Sequence, residues 1–166
     1  NSFAYTDSCV GALVDSLRMT DVWDKLLLVL VPDHGFCYPR QGFKNAPHAH
    51  HIPVIWTGGA VKEPVKIDKL MNQADLAATL LAQLGIDHSD FMFSRNVLSG
   101  QYTDEFAFYT FVDGFCYIDS TGTTIYDNTA DKVQENTGDA TELQERNREE
   151  RGKAILQTLY DDLDAR

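Results

Sequence analysis

Basic residues and cysteines are scarce in this sequence, and no long apolar run occurs. Among 166 residues, 14 Lys or Arg stand against 25 Asp or Glu, a formal net charge of -11. Phosphate backbones repel such a chain, which excludes a basic nucleic-acid binder. A helix crossing a bilayer needs roughly 20 consecutive apolar residues, and the best run here, Leu26 to Val31, is far shorter. The three cysteines, Cys9, Cys37 and Cys116, are odd in number and widely spaced, so they supply neither a disulfide framework nor the paired spacing of a zinc ribbon. The first residue is Asn1 rather than Met, with no charged-then-apolar leader, so the chain reads as a processed or truncated piece of something longer. Apolar material is plentiful: 43% hydrophobic and 11% aromatic residues suffice for one sizeable core and argue against a disordered acidic tail.

Along the chain, Tyr5 to Ser8 offers capping side chains ahead of Cys9, Val10, Leu13, Val14 and Leu17, whose three- and four-residue steps predict a helix to about Arg18. Leu26 to Val31 predicts a strand covered on both faces, stopped by Pro32-Asp33-His34-Gly35. From Gly35 to His51 there is no periodicity, and Ile52 to Trp56 predicts a short second strand ended by Gly58-Gly59. Asp75 reads as the N-cap of a helix over 76–84 that Gly85 closes. Phe106 to Phe111, Gly114 to Ile118 and Thr123 to Tyr126 predict an antiparallel meander turned at Asp113-Gly114 and Thr121-Gly122. Residues 128–140 read as a loop. A terminal helix from Thr141 carries Ile155, Leu156, Leu159, Tyr160 and Leu163 as its apolar stripe, with Glu142 to Arg151 as a solvated charged face.

Ligands of open α/β sheets collect beyond the carboxyl ends of the strands, where Asp33-His34 stands. An adjacent carboxylate and imidazole suit a divalent ion that takes mixed oxygen and nitrogen ligands, although the same pair also suits a turn cap beside a surface histidine. Three of the five histidines, His48, His50 and His51, fall just before the second strand. Imidazoles there can bind metal or donate to a phosphate or sulfate oxygen, and at least one must face solvent. His51, abutting the strand, is the favoured member; His48 follows. Asp75 is read as a cap, Cys37 as a bystander thiol, and the aromatic runs as sheet core.

Four stretches, Asn1 to Asp7, Val31-Pro32-Asp33-His34-Gly35, His51 to Trp56, and Gln73 to Leu81, stand in an order and spacing that resemble the carboxyl-terminal part of a sulfatase-type protein of the alkaline phosphatase superfamily. The likeness is greatest to the lipoteichoic acid synthase and phosphoethanolamine transferase branch and weakens beyond Asn128. It implies an α/β fold of parallel strands with helices, followed by a small antiparallel sheet and a terminal helix. Residues 1–100 would be the end of the α/β core and 101–166 the sheet and helix, within one domain. It further implies a sulfatase, phosphodiesterase or phosphotransferase using a divalent metal (manganese, zinc, calcium or magnesium) held by Asp33 and His34, with His51 or His48 on a sulfate- or phosphate-ester substrate such as a lipid or glycan head group. The family's nucleophile and acidic ligand lie well upstream of the Asp-His pair. Here Thr6, Ser8 and Cys9 fall in a helix, so the nucleophile is expected outside this chain, which alone is expected to be inactive. The resemblance also implies an extracytoplasmic domain tethered by upstream membrane helices. The alternative is a non-catalytic interaction or structural domain that keeps the fold.

Overall fold

The computed structural model describes residues 2–35 and 45–166. Cys37 therefore lies outside the described residues, as do Pro39 and Gly42. The chain divides into two compact units, residues 1–67 and 68–166.

In the first unit, helix α1 (Ser2–Arg18) starts earlier than the capping residues suggest. Thr6 is inside it, its Oγ1 donating to the Ser2 carbonyl at 3.1 Å, so the Tyr5 to Ser8 cluster caps nothing. Val10, Val14 and Leu17 form the half-buried stripe, at steps of four and three, and no residue of α1 is fully buried. Strand β1 (Leu28–Leu30) is shorter than its apolar run and only half-buried. It pairs with β2 (Ile55–Thr57), Leu28 opposite Thr57 and Leu30 opposite Ile55. The pairing is antiparallel, which corrects the expectation of parallel strands here. A parallel return needs a crossover, usually a helix. Among the described residues between β1 and β2 the only helical element is the short 3-10 turn Pro47–Ala49.

The second unit holds the core. Helix α2 (Asp75–Gln83) ends as the sequence predicts: Gly85, at φ +68°, takes the left-handed conformation that other residues resist. The Gly85 N–H donates to the Ala82 carbonyl and the Ile86 N–H to the Leu81 carbonyl, satisfying the last turn. Asp75 is the first helical residue, not the cap, which is Ala74. It is fully buried and accepts from the Asn72 N–H at 2.8 Å and from the Arg95 N–H, Nε and Nη2 at 2.8, 3.0 and 2.6 Å. Arg95 also donates to the Asp104 and Phe106 carbonyls and lies 3.8 Å above the Phe106 ring. These bonds group α2 with the sheet that follows, whereas the sequence-based division falls after residue 100.

Strands β3 (Phe106–Phe111), β4 (Gly114–Asp119), β5 (Gly122–Asp127) and β6 (Lys132–Thr137) form an antiparallel sheet in chain order. The first two turns are tight, with Phe111 opposite Gly114 and Asp119 opposite Gly122, so each glycine opens a strand rather than centring a turn. In the second turn Asp119 Oδ1 accepts from the Thr121 N–H at 2.8 Å and Oγ1 at 2.6 Å. The sequence 132–137, read as loop, is the edge strand β6. Its exposed polar residues give no apolar alternation beyond the half-buried Val133.

Phe115, Tyr117 and Tyr126 form the buried cluster, joined by Phe106, Phe108, Val133, Ile155 and Leu156. Helix α3 (Glu142–Asp164) opens with a capping box between Thr141 and Gln144 and packs against β4 and β5. At Gly152 helix and sheet come close: a Cβ there would lie 2.1 Å from Phe115 Cε2. The charged segment is not wholly solvated, because Arg148 is fully buried and donates to Thr124 Oγ1 at 3.0 Å and Thr121 Oγ1 at 2.6 Å. The rest of that face holds the expected pairs, Arg146 with Glu150 at 2.8 Å and Lys153 with Glu149 at 2.7 Å. Tyr160 and Leu163, placed on the apolar stripe by sequence, remain exposed.

Candidate functional site

Asp33 and His34 follow β1 on the turn that Pro32 opens, and both side chains are exposed. Asp33 Oδ1 accepts the His34 N–H at 3.0 Å, which fixes the carboxylate against its own turn. The His34 ring lies between two oxygens, with Nδ1 2.8 Å from the Gly35 carbonyl and Nε2 3.7 Å from Asp33 Oδ2. One carboxylate oxygen and one ring nitrogen thus face a common gap.

The histidine segment lies beside this turn. A Cβ on Gly35 would sit 2.1 Å from the Ala49 carbonyl oxygen and 3.1 Å from His50 Cα, so only the missing side chain lets the two segments touch. His48 is on the 3-10 turn Pro47–Ala49, and its buried Nε2 has no hydrogen-bond partner among the described residues. His51 is exposed, between that turn and β2. The structure therefore brings the Asp33-His34 turn against the backbone of 49–50. It does not gather three His, Cys, Asp or Glu side chains at one point among the described residues. Sequence reading took Gly35 as a strand stop and as the turn that follows the Asp-His pair; its contact with Ala49 left no signal there.

The donor set suits a metal ion as part of a coordination sphere. Two ligand atoms each about 2.1 Å from one tetrahedral ion lie about 3.4 Å apart, close to the separation of Nε2 and Oδ2. A ring nitrogen opposite the ligating one held by a backbone carbonyl is also the usual outer support of a metal-bound histidine.

Nothing comparable occurs in the second unit among the described residues. Its open hollow of about 480 Å³, lined by Asp119, Thr121, Gln144, Asn147, Glu150 and Arg151, mixes both charges and contains no histidine. Cys116 is buried beside Tyr109, and burial pushes its thiol up to about 11, which keeps it protonated and inert. Thr6, Ser8 and Cys9 all lie on α1. No helix among the described residues is long and apolar enough to cross a membrane.

The fold is that of the alkaline phosphatase superfamily: a solved protein of that superfamily from Vibrio parahaemolyticus superposes with a TM-score of 0.71 over 95% of this chain and 40% of that one, at 19% identity. Within that class, a family model described as sulfatase matches residues 1–86, and the chain belongs to the sulfatase family. A 2,3-bisphosphoglycerate-independent phosphoglycerate mutase of Syntrophotalea carbinolica is 36% identical over 99 residues, covering 55% of this chain and 18% of that protein. Human arylsulfatase K is 25% identical over 87 residues, covering 50% and 16%. The chain thus spans less than a fifth of the length of these two relatives.

Proposed function

We propose that the sequence contributes part of the active site of a metal-dependent enzyme acting on sulfate or phosphate esters, with Asp33 and His34 as metal ligands. The observation that carries this reading is the facing pair, His34 Nε2 and Asp33 Oδ2 at 3.7 Å, with the opposite ring nitrogen already occupied by a carbonyl. Bound there, a divalent ion would lower the pKa of a nucleophile and neutralise charge on the transferring group.

The residues of this chain bind and orient. Asp33 supplies a carboxylate anchored by the His34 N–H. His48 and His51 are the candidates to donate to a tetrahedral oxyanion. His48 is supported by its unpartnered Nε2, and His51 by its exposure beside the Asp-His turn's neighbour segment. No nucleophile is assigned within these residues, and the chain by itself is expected to be inactive. The relatives leave the ester open: one is named for phosphoglycerate, the other for arylsulfate. The resemblance to lipoteichoic acid synthases and phosphoethanolamine transferases extends the proposal to transfer onto an acceptor alcohol, a lipid or glycan head group as substrate, and an extracytoplasmic, membrane-tethered protein.

The test is hydrolysis of nitrophenyl phosphate, phosphodiester and sulfate by the full-length protein, with and without manganese or zinc, beside Asp33→Ala. The expected outcome is metal-dependent turnover of one ester class, reduced at least 100-fold in the variant, the scale on which ligand loss exceeds outer-support loss of about 10–100-fold. Absence of turnover and of metal binding would favour the second reading, a non-catalytic domain that keeps the fold.

A further inference from the structure

His34 has two ring nitrogens, and the residue after it decides which one keeps a proton. The Gly35 carbonyl oxygen can only accept, so its 2.8 Å contact requires the ring to donate from Nδ1. In the neutral ring Nε2 then carries the lone pair, on the side facing Asp33 Oδ2. The direction of that carbonyl follows from the backbone at Gly35, which is pressed against its neighbours. A Cβ there would meet the Ala49 carbonyl oxygen at 2.1 Å, the Ala49 carbonyl carbon at 2.8 Å and His50 Cα at 3.1 Å. All three are backbone atoms, and no rotamer change moves them aside.

We propose that Gly35 is a positioning residue that selects the His34 tautomer, holding its carbonyl under Nδ1 from a place that only a residue without a side chain can occupy. The inference deepens the metal reading given above and rests on it for its functional consequence. Any side chain at position 35 pushes its backbone away from 49–50, turns the carbonyl off Nδ1 and frees the ring to protonate Nε2, the atom a metal ion needs bare. Outer partners of this kind change metal affinity by about 10–100-fold.

The experiment is nitrogen-15 spectroscopy of the histidines in the metal-free full-length protein, paired with calorimetric titration of zinc and with His34→Ala as the reference for zinc binding elsewhere. In the native chain His34 is expected to carry its proton on Nδ1. Gly35→Ala is expected to move it toward the Nε2-protonated form and to weaken zinc binding about 10–100-fold, with far-ultraviolet circular dichroism unchanged. A native chain with His34 protonated on Nε2 overturns the proposal without any variant, so a misfolded Gly35→Ala does not shelter it. A folded Gly35→Ala with native tautomer and native zinc affinity overturns it as well. A native full-length protein with the Nδ1 proton in place but no zinc binding overturns the proposed metal centre instead, and the tautomer comparison still decides the role of Gly35.

Discussion

Asp75 ties the start of α2 to the segment around Arg95. Its carboxylate is fully buried and accepts four hydrogen bonds, three of them from Arg95, whose side chain is 26% exposed. Breaking a buried pair by removing one partner leaves the other charge uncompensated, which costs about 3–5 kcal/mol. Asp75→Ala should lose about that much in urea unfolding, and Asp75→Asn, which keeps an acceptor oxygen, should lose less. The sequence revealed Asp75 as a helix-start residue but not its partner, because Arg95 is twenty positions away in a segment without periodicity. Arg148 was hidden for a related reason. An arginine inside Glu142 to Arg151 looks like its solvated neighbours until the two threonines that receive it are known to be under the helix.

At the scale of the element, two mid-helix glycines make opposite demands. A Cβ added at Gly11, in α1, would have nothing within 4 Å, and an alanine there should raise stability by about 0.5–1 kcal/mol through helix propensity alone. Gly152 gains the same propensity but meets the fully buried Phe115 ring at 2.1 Å, and overpacking of this kind costs about 1–3 kcal/mol. Gly152→Ala should therefore lower the thermal midpoint while Gly11→Ala leaves it level or raises it. The elements themselves were largely legible. The runs from Phe106 to Tyr126 carry aromatic and β-branched residues between turn signals, and Gly85 marks the end of α2. Strand β6 was not legible, since an edge strand with polar side chains buries too little to leave a pattern. The antiparallel return of β2 on β1 was also beyond reach, because apolar runs do not carry direction.

For the molecule as a whole, burial of phenols sets an alkaline limit. Burial pushes Tyr102 and Tyr117 up to about 12, so the folded state holds their protons more tightly than the unfolded chain does. That contribution is complete below the ordinary phenol value near 10 and is lost as pH rises through about 12. The thermal midpoint should fall across that interval. Tyr117→Phe, which also removes a buried hydroxyl without a partner among the described residues, should flatten the fall and leave stability at neutral pH unchanged or higher. The Asp33-His34 pair was visible in the sequence, since a carboxylate beside an imidazole after an apolar run offers the mixed donors a divalent ion accepts. The closeness of Gly35 to Ala49 was not, because it joins two segments through backbone contact that no residue pattern announces. The two described thiols have one more consequence. Cys9 is exposed on α1 while Cys116 is sealed in the sheet. A thiol-reactive dye at neutral pH will mark the first helix at once and the strand core only when it opens, so the chain carries its own reporter of unfolding, read peptide by peptide in a mass spectrometer.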